Sequence, residues 1–134
     1  MKVTANKNEF TLYVSQESLP EVVCEFVMLK EQLKSKWVFE HKGVRHELIK
    51  SQSLQPHSTY TTDGARVVLA LADASIDYLL HFLLSAFRDK ISPVSHVHVY
   101  FSRENKPEYC LTLVLDWNIP IVDSSDAVIS SEKT

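Results

Sequence analysis

Glycine is scarce in this chain, with 2 residues in 134, and long hydrophobic runs are missing. Phosphate-binding loops need glycines that let the backbone approach the anion, so this scarcity nearly excludes such a loop. The longest apolar run, VVLALA, has 6 residues, whereas a membrane-spanning helix needs roughly 20. The first residues, MKVTANKNEF, lack the apolar core of a signal peptide. We therefore expect a soluble, cytoplasmic protein that does not contact a membrane.

Cysteine and basic charge are also in short supply. The 2 cysteines, Cys24 and Cys110, have no metal-ligand spacing, and we expect both to be reduced and non-catalytic. The formal net charge is −3, whereas a nucleic-acid partner requires a concentrated basic surface. No nucleic-acid partner is therefore expected. The length predicts one domain over 1–122, and the polar residues 123–134 predict a flexible tail.

Helix and strand patterns alternate along the chain. Apolar periodicity predicts strands at 9–14, in a hairpin over 36–50, at 65–72, at 94–102 and at 108–117. Helical spacing predicts helices over 18–34 and 74–91, and the polar segment 51–64 reads as the longest internal loop. The order β-α-β-β thus occurs twice. It predicts an α+β, two-layer fold with an antiparallel sheet of about six strands and two helices packed on one face.

Two local patterns make finer predictions. Ser18 and Glu21 have the spacing of a capping box, which predicts the start of the first helix. Lys42-Gly43 is typical of a tight turn. A hairpin around this turn pairs His41 with Val44 and places Trp37, Phe39, His46 and Leu48 on one face.

The stretch SHVHVYF, residues 95–101, places two histidines two positions apart in a strand-like run. Alternation sends Val97, Val99 and Phe101 into the core. The opposite face then presents, together with residues of the next strand, His96, His98, Tyr100, Thr112 and Asp116. Such a mixed polar and aromatic face suits a specific protein interface, and we expect these residues to bind a partner.

The same histidines also permit a metal site. Residues two apart on a strand can converge on one ion, with Asp116 or Cys110 as a third ligand to His96 and His98. A second tight ligand pair is absent from the sequence. We therefore predict no metal, no cofactor and no catalytic residue, and keep the His96, His98 and Asp116 set as an alternative.

Two aromatic residues on the second predicted helix extend the expected interface. Tyr78 and Phe82 lie four positions apart and project about 150° from the apolar stripe of the helix. Exposed aromatic side chains are good anchors for a protein partner. Packing of both residues beneath the tail or the 51–64 loop is the alternative.

The second half of the chain resembles a known family. A strand, a leucine-rich helix, then HVHVYF and YCLTLVLDW are similar to the His-x-His hairpin of small immunity proteins of polymorphic-toxin and contact-dependent growth inhibition systems. The likeness covers 65–117, and Tyr100 stands where that family usually has an acidic residue. The resemblance implies a bacterial, non-enzymatic cytoplasmic inhibitor that binds a cognate toxin domain, expected to be a nuclease.

Two other functions stay open. A small histidine- or metal-dependent hydrolase would use His96, His98 and Asp116. A structural or phage/plasmid accessory protein would homodimerise through a sheet face or edge. The immunity interpretation predicts that the gene directly follows a large toxin gene, which neither alternative requires.

Overall fold

A computed structural model describes residues 1–53, 57–90, 94–103 and 107–117. In these ranges the chain forms eight strands and two helices. In chain order they are β1 (Lys2–Asn6), β2 (Glu9–Val14), α1 (Leu19–Lys30), β3 (Trp37–His41), β4 (Val44–Lys50), β5 (Ser58–Asp63), β6 (Arg66–Leu71), α2 (Asp73–Asp89), β7 (His96–Ser102) and β8 (Tyr109–Leu115). The predicted tail, 123–134, lies outside the described residues.

All eight strands belong to one mixed sheet, in the order β1-β2-β8-β7-β5-β6-β4-β3. Hairpin neighbours pair antiparallel, whereas β2 with β8, β4 with β6, and β5 with β7 pair parallel. The outer strands β1 and β3 approach each other, so the sheet is nearly closed into a barrel. The predicted two-layer antiparallel sheet of about six strands is therefore wrong. Three parallel pairings join strands that are distant in sequence, and they curl the sheet around its own apolar face.

Strand directions place the turns and the helices at opposite ends of the barrel. All odd-numbered strands run one way and all even-numbered strands run the other. The hairpin turns therefore lie together at one end, and the chain enters and leaves both helices at the other. Lys30 of α1 forms ion pairs with Asp73 and Asp77 of α2, with N–O distances of 3.2 and 2.7 Å. Among the described residues, no helix has the length and hydropathy needed to cross a membrane.

One hydrophobic core fills the barrel. The buried faces of both helices and the inward-facing residues of the strands form a single cluster. Phe10, Phe26 and Phe101 are among its largest fully buried side chains. The predicted inward alternation of β7 and β8 is confirmed, since Val97, Val99 and Phe101 are at most 6% exposed. Both helices therefore pack on the same core as the strands.

The chain repeats the order β-β-α-β-β. β1 and β5, which the sequence did not predict, begin the two halves. β5 occupies part of the segment predicted as a loop. If each strand is replaced by its counterpart in the other half, the order of strands around the sheet stays the same, provided that the edge strands β3 and β1 are neighbours. The β5–β7 pair is then the counterpart of the β1–β3 pair. β5 and β7 pair at only two positions.

Local predictions have mixed outcomes. The β3–β4 hairpin pairs His41 with Val44 and Phe39 with His46, as predicted. Ser18 precedes α1 but makes no side-chain cap, because its hydroxyl is 2.9 Å from the hydroxyl of Ser15. α1 ends at Lys30, four residues before the predicted end. Gln32 has a φ of 58°, a left-handed conformation that breaks the helix.

Candidate functional site

The predicted histidine strand is β7, and its outer face presents a row of rings. The His96 and His98 rings lie 5.0 Å apart, and those of His98 and Tyr100 lie 6.0 Å apart. Tyr100 is 57% exposed, and Tyr78 of α2 is 51% exposed. Tyr78, His98 and Tyr100 line one shallow groove of about 340 Å³. His96, His98, Tyr100 and Tyr78 are called the His–Tyr surface below.

Of the other predicted interface residues, Thr112 lies opposite His98 on β8, whereas Phe82 and Asp116 lie away from the ring row. Phe82 is only 5% exposed and belongs to the core, so its predicted exposure is wrong. Its position on α2 falls within the buried stripe, together with Leu79 and Leu83. Thr112 is 5% exposed, and Asp116 is exposed just beyond the end of β8. Their contribution to partner binding stays a prediction.

A hydrogen-bonded cluster lies behind the ring row and connects three strands. The Thr112 hydroxyl donates to the Glu9 carboxylate at 3.2 Å, and Thr112 Oγ1 is 2.8 Å from His98 Nδ1. Since the Thr112 hydroxyl donates to Glu9, the lone pairs of its oxygen are available to a protonated Nδ1 of His98. Cys110 Sγ lies 3.5 Å from both Nδ1 of His98 and the Thr112 hydroxyl. This cluster therefore fixes the ring of His98 with Nε2 directed away from Thr112.

Three side chains of this cluster could supply metal ligands. Ligand atoms of Glu9, His98 and Cys110 lie within 4.8 Å of one another. The predicted ligands His96 and Asp116 are not in this group. Nδ1 of His98 is already hydrogen-bonded to Thr112, and burial raises the pKa of Cys110, which favours the neutral thiol. Metal binding would have to break this hydrogen bond and remove the thiol proton.

The position that corresponds to this cluster in the repeat lies between β4 and β6 and also carries polar side chains. There, Glu47 of β4 is 2% exposed and accepts hydrogen bonds of 3.0 Å from both Arg66 Nε and Arg66 Nη2. Arg45 Nε lies 2.8 Å from the same carboxylate. Glu47 corresponds to Thr112, and Arg66 corresponds to Glu9, when positions are counted from the hairpin turns. Both halves therefore use this place on the outer wall for polar side chains that join neighbouring strands.

A second concave site lies at the turn end of the barrel and is called the mouth cavity. Its volume is about 630 Å³, and it is lined by residues of every hairpin. Tyr60 and Tyr109 form part of its wall, with ring centroids 5.3 Å apart. The Tyr60 hydroxyl donates to the Pro107 carbonyl at 2.6 Å. Burial, with smaller contributions from Tyr60 and Glu9, raises the pKa of Tyr109 to about 12.

His46 lines the mouth cavity and is 2% exposed. Its ring stacks on Phe10 with centroids 4.5 Å apart. Nδ1 of His46 has no hydrogen-bond partner among the described residues. Burial lowers the pKa of His46 more than the Val44 backbone oxygen raises it, so the neutral ring is favoured. The sequence placed His46 on one face with Trp37 and Leu48, but only the barrel's closure brings it to a cavity.

Comparisons with known proteins found no matching family model, no matching curated protein and no matching solved structure.

Proposed function

We propose that this protein is a non-enzymatic inhibitor of the immunity type, which binds a cognate toxin domain in the cytoplasm through the His–Tyr surface. The observation that carries the proposal is the exposed row of rings on β7, His96, His98 and Tyr100, beside Tyr78 of α2. The sequence resemblance to immunity proteins falls on this same part of the chain.

The shape and composition of this surface support binding of a protein. Tyr78 and Tyr100 are both more than half exposed and line one groove with His98. Tyrosine at the centre of an interface buries a large apolar ring and retains a hydroxyl for hydrogen bonding. His98 is oriented by Thr112 before any partner arrives. A preorganised side chain loses less conformational entropy on binding.

The chemistry of the neighbouring cluster favours binding over catalysis. A cysteine nucleophile needs a lowered thiol pKa, whereas burial raises that of Cys110. Glu9, His98 and Thr112 are already joined by hydrogen bonds that orient one another. The cluster therefore supports the outer face as a rigid platform.

The overall charge suits a basic partner. The formal net charge of −3 gives this chain an excess of acidic groups. Nuclease domains bind a polyanion and so present cationic surfaces, which an acidic protein attracts during encounter. The proposed partner is accordingly a basic, nuclease-type toxin domain.

Calorimetry with the protein encoded directly upstream tests the proposal. We expect one-to-one binding, weakened about tenfold or more by Tyr100→Ala or His98→Glu, because truncation or charge reversal at an interface anchor typically costs more than 1 kcal/mol. Phe87→Ala is the matched control, because Phe87 is 44% exposed but lies near the far end of α2. Its affinity should equal that of the unmodified protein.

Two outcomes would contradict this function. If both Tyr100→Ala and His98→Glu bind with full affinity, the interface does not include the His–Tyr surface. A protein that binds no upstream product but hydrolyses a phosphoester, with activity lost in His98→Ala, would support the hydrolase alternative.

A further inference from the structure

The mouth cavity contains a buried polar group that the packing of the barrel does not require. Counting from the hairpin turns, His46 in β4 corresponds to Leu111 in β8. The pairing with the neighbouring parallel strand supports this correspondence. His46 pairs with Val67 of β6, and Leu111 pairs with Phe10 at the equivalent position of β2. Leu111 is fully buried. The fold thus accommodates leucine at this position, so packing of the core does not require a histidine there.

A buried histidine nitrogen without a partner is energetically unfavourable. Leaving a buried donor or acceptor unsatisfied costs about 1–3 kcal/mol. Nδ1 of His46 is in this condition, and its ring lines the cavity. A histidine that is buried in this way and also lines the cavity is a polar side chain that a bound molecule with a hydrogen-bonding group can contact.

The rim of the cavity has an excess of positive charge. Lys7, Lys42 and Arg103 line the cavity, and the described lining residues include no aspartate or glutamate. Lys7 and Lys42 belong to hairpin turns, where their side chains are exposed. Arg103 is held by a 2.7 Å hydrogen bond to Thr62 and lies 6.0 Å from the ring centroid of Tyr60. Such a rim attracts an anionic group.

The wall between the rim and His46 is apolar and aromatic. Tyr60, Tyr109 and Val67 contribute to it, and the cavity of about 630 Å³ falls in the range of roughly 300–1,000 Å³ that small-molecule sites occupy. Barrel mouths are common places for such sites.

We propose that the mouth cavity binds a small amphipathic anion: an apolar, ring-containing molecule with a carboxylate or phosphate at one end and a hydrogen-bonding group at the other. The anionic group contacts Lys42 and Arg103 at the rim. The ring packs against the wall that Tyr60 and Tyr109 form together. The polar group at the far end hydrogen-bonds to the imidazole of His46. This site faces the barrel interior and is separate from the His–Tyr surface on the outer wall.

Titration followed by two-dimensional NMR tests this site with a hydroxynaphthoate whose carboxylate and hydroxyl lie at opposite ends. We expect saturable one-to-one binding, with shifted amides at Val44, His46 and Tyr60. The analogue without the hydroxyl should bind about tenfold more weakly, the effect of one lost hydrogen bond in a buried site. In His46→Leu the two probes should bind equally. The corresponding hydroxynaphthyl phosphate tells whether a phosphate is preferred to a carboxylate.

The rim is tested separately, which keeps the proposal falsifiable if His46→Leu fails to fold. Lys42→Glu and Arg103→Glu should each weaken the hydroxynaphthoate about tenfold, whereas the uncharged amide of the probe should be insensitive to both. Lys2→Glu is the matched control, because Lys2 lies at the opposite end of β1 from the mouth. Equal affinity of the acid and the amide, or amide shifts outside the mouth, would overturn the proposal. So would an undiminished preference for the hydroxyl in His46→Leu.

Discussion

Two neighbouring residues of β4 show how a buried polar side chain is or is not satisfied in this protein. Glu47 points outward, is 2% exposed and is held by Arg45 and Arg66. His46 points inward, is equally buried and leaves Nδ1 without a partner among the described residues. The surrounding sequence, VRHELIK, shows that the two side chains point to opposite faces of the strand. It does not show which of them has hydrogen-bond partners. The difference depends on Arg66 and the cavity, which only the tertiary structure supplies.

His46→Leu should stabilise the protein, and the gain should grow as the pH falls. The native state holds the pKa of His46 below 6.5, its ordinary value, so below that pH the unfolded chain binds a proton that the native protein excludes. The native protein therefore loses stability from about pH 6.5 downwards until the folded-state pKa is passed. Leucine removes this loss and also the unsatisfied Nδ1, a gain of about 1 kcal/mol near neutral pH.

Urea unfolding of both proteins between neutral and mildly acidic pH measures this difference. A stability difference that stays constant over the range would show that His46 is protonated equally in both states. A destabilised His46→Leu at neutral pH would show that Nδ1 is satisfied in the native protein.

At the scale of the elements, β5 connects to the start of α2 through one serine. Ser58 is 2% exposed, and its hydroxyl accepts a hydrogen bond from the Ala72 amide at 2.9 Å. It also lies 2.8 Å from the hydroxyl of Ser75 in the first turn of α2. α2 has no side-chain cap from its own N-cap residue, Ala72. A distant strand therefore supplies the hydrogen bond that helices usually obtain locally.

Ser58→Ala should destabilise the protein by about 1–3 kcal/mol, because it leaves the buried Ala72 amide unsatisfied. Thr61→Ala is the matched control, since Thr61 is exposed on the same strand. Its effect should stay within about 0.5 kcal/mol. Urea unfolding of both variants measures the two values, and equal effects would mean that Ser58 contributes only strand propensity.

The sequence predicted elements better than their assembly. Alternation correctly assigned the inner residues of β7 and β8, and the Lys42-Gly43 turn gave the register of β3 with β4. β5 was missed because its sequence, STYTTD, is polar at most positions and its inward residues are Ser58 and Tyr60. Capping was mispredicted at Ser18 because the hydroxyl of Ser15 competes for its side chain.

For the whole molecule, closure of the barrel decides what the residues can do, and closure has no local signature. β2 and β8 pair in parallel although about a hundred residues separate them, as Glu9 beside Cys110 shows. That pairing brings Glu9 to His98, a contact that no spacing rule predicts. The same closure gathers the hairpin turns around one cavity. The exposed rings of β7 were predictable from strand alternation and Tyr78 from helical spacing, whereas the mouth cavity was not predictable from either.

Hydrogen exchange of the protein with and without the product of the upstream gene tests the central claim most directly. Binding at the His–Tyr surface should slow exchange of amides in β7 and in the first half of α2, because an interface excludes water from the backbone it covers. Exchange in the β3–β4 hairpin at the mouth should stay unchanged. Protection confined to that hairpin, or unchanged exchange throughout β7 and α2 in a saturated complex, would contradict the account.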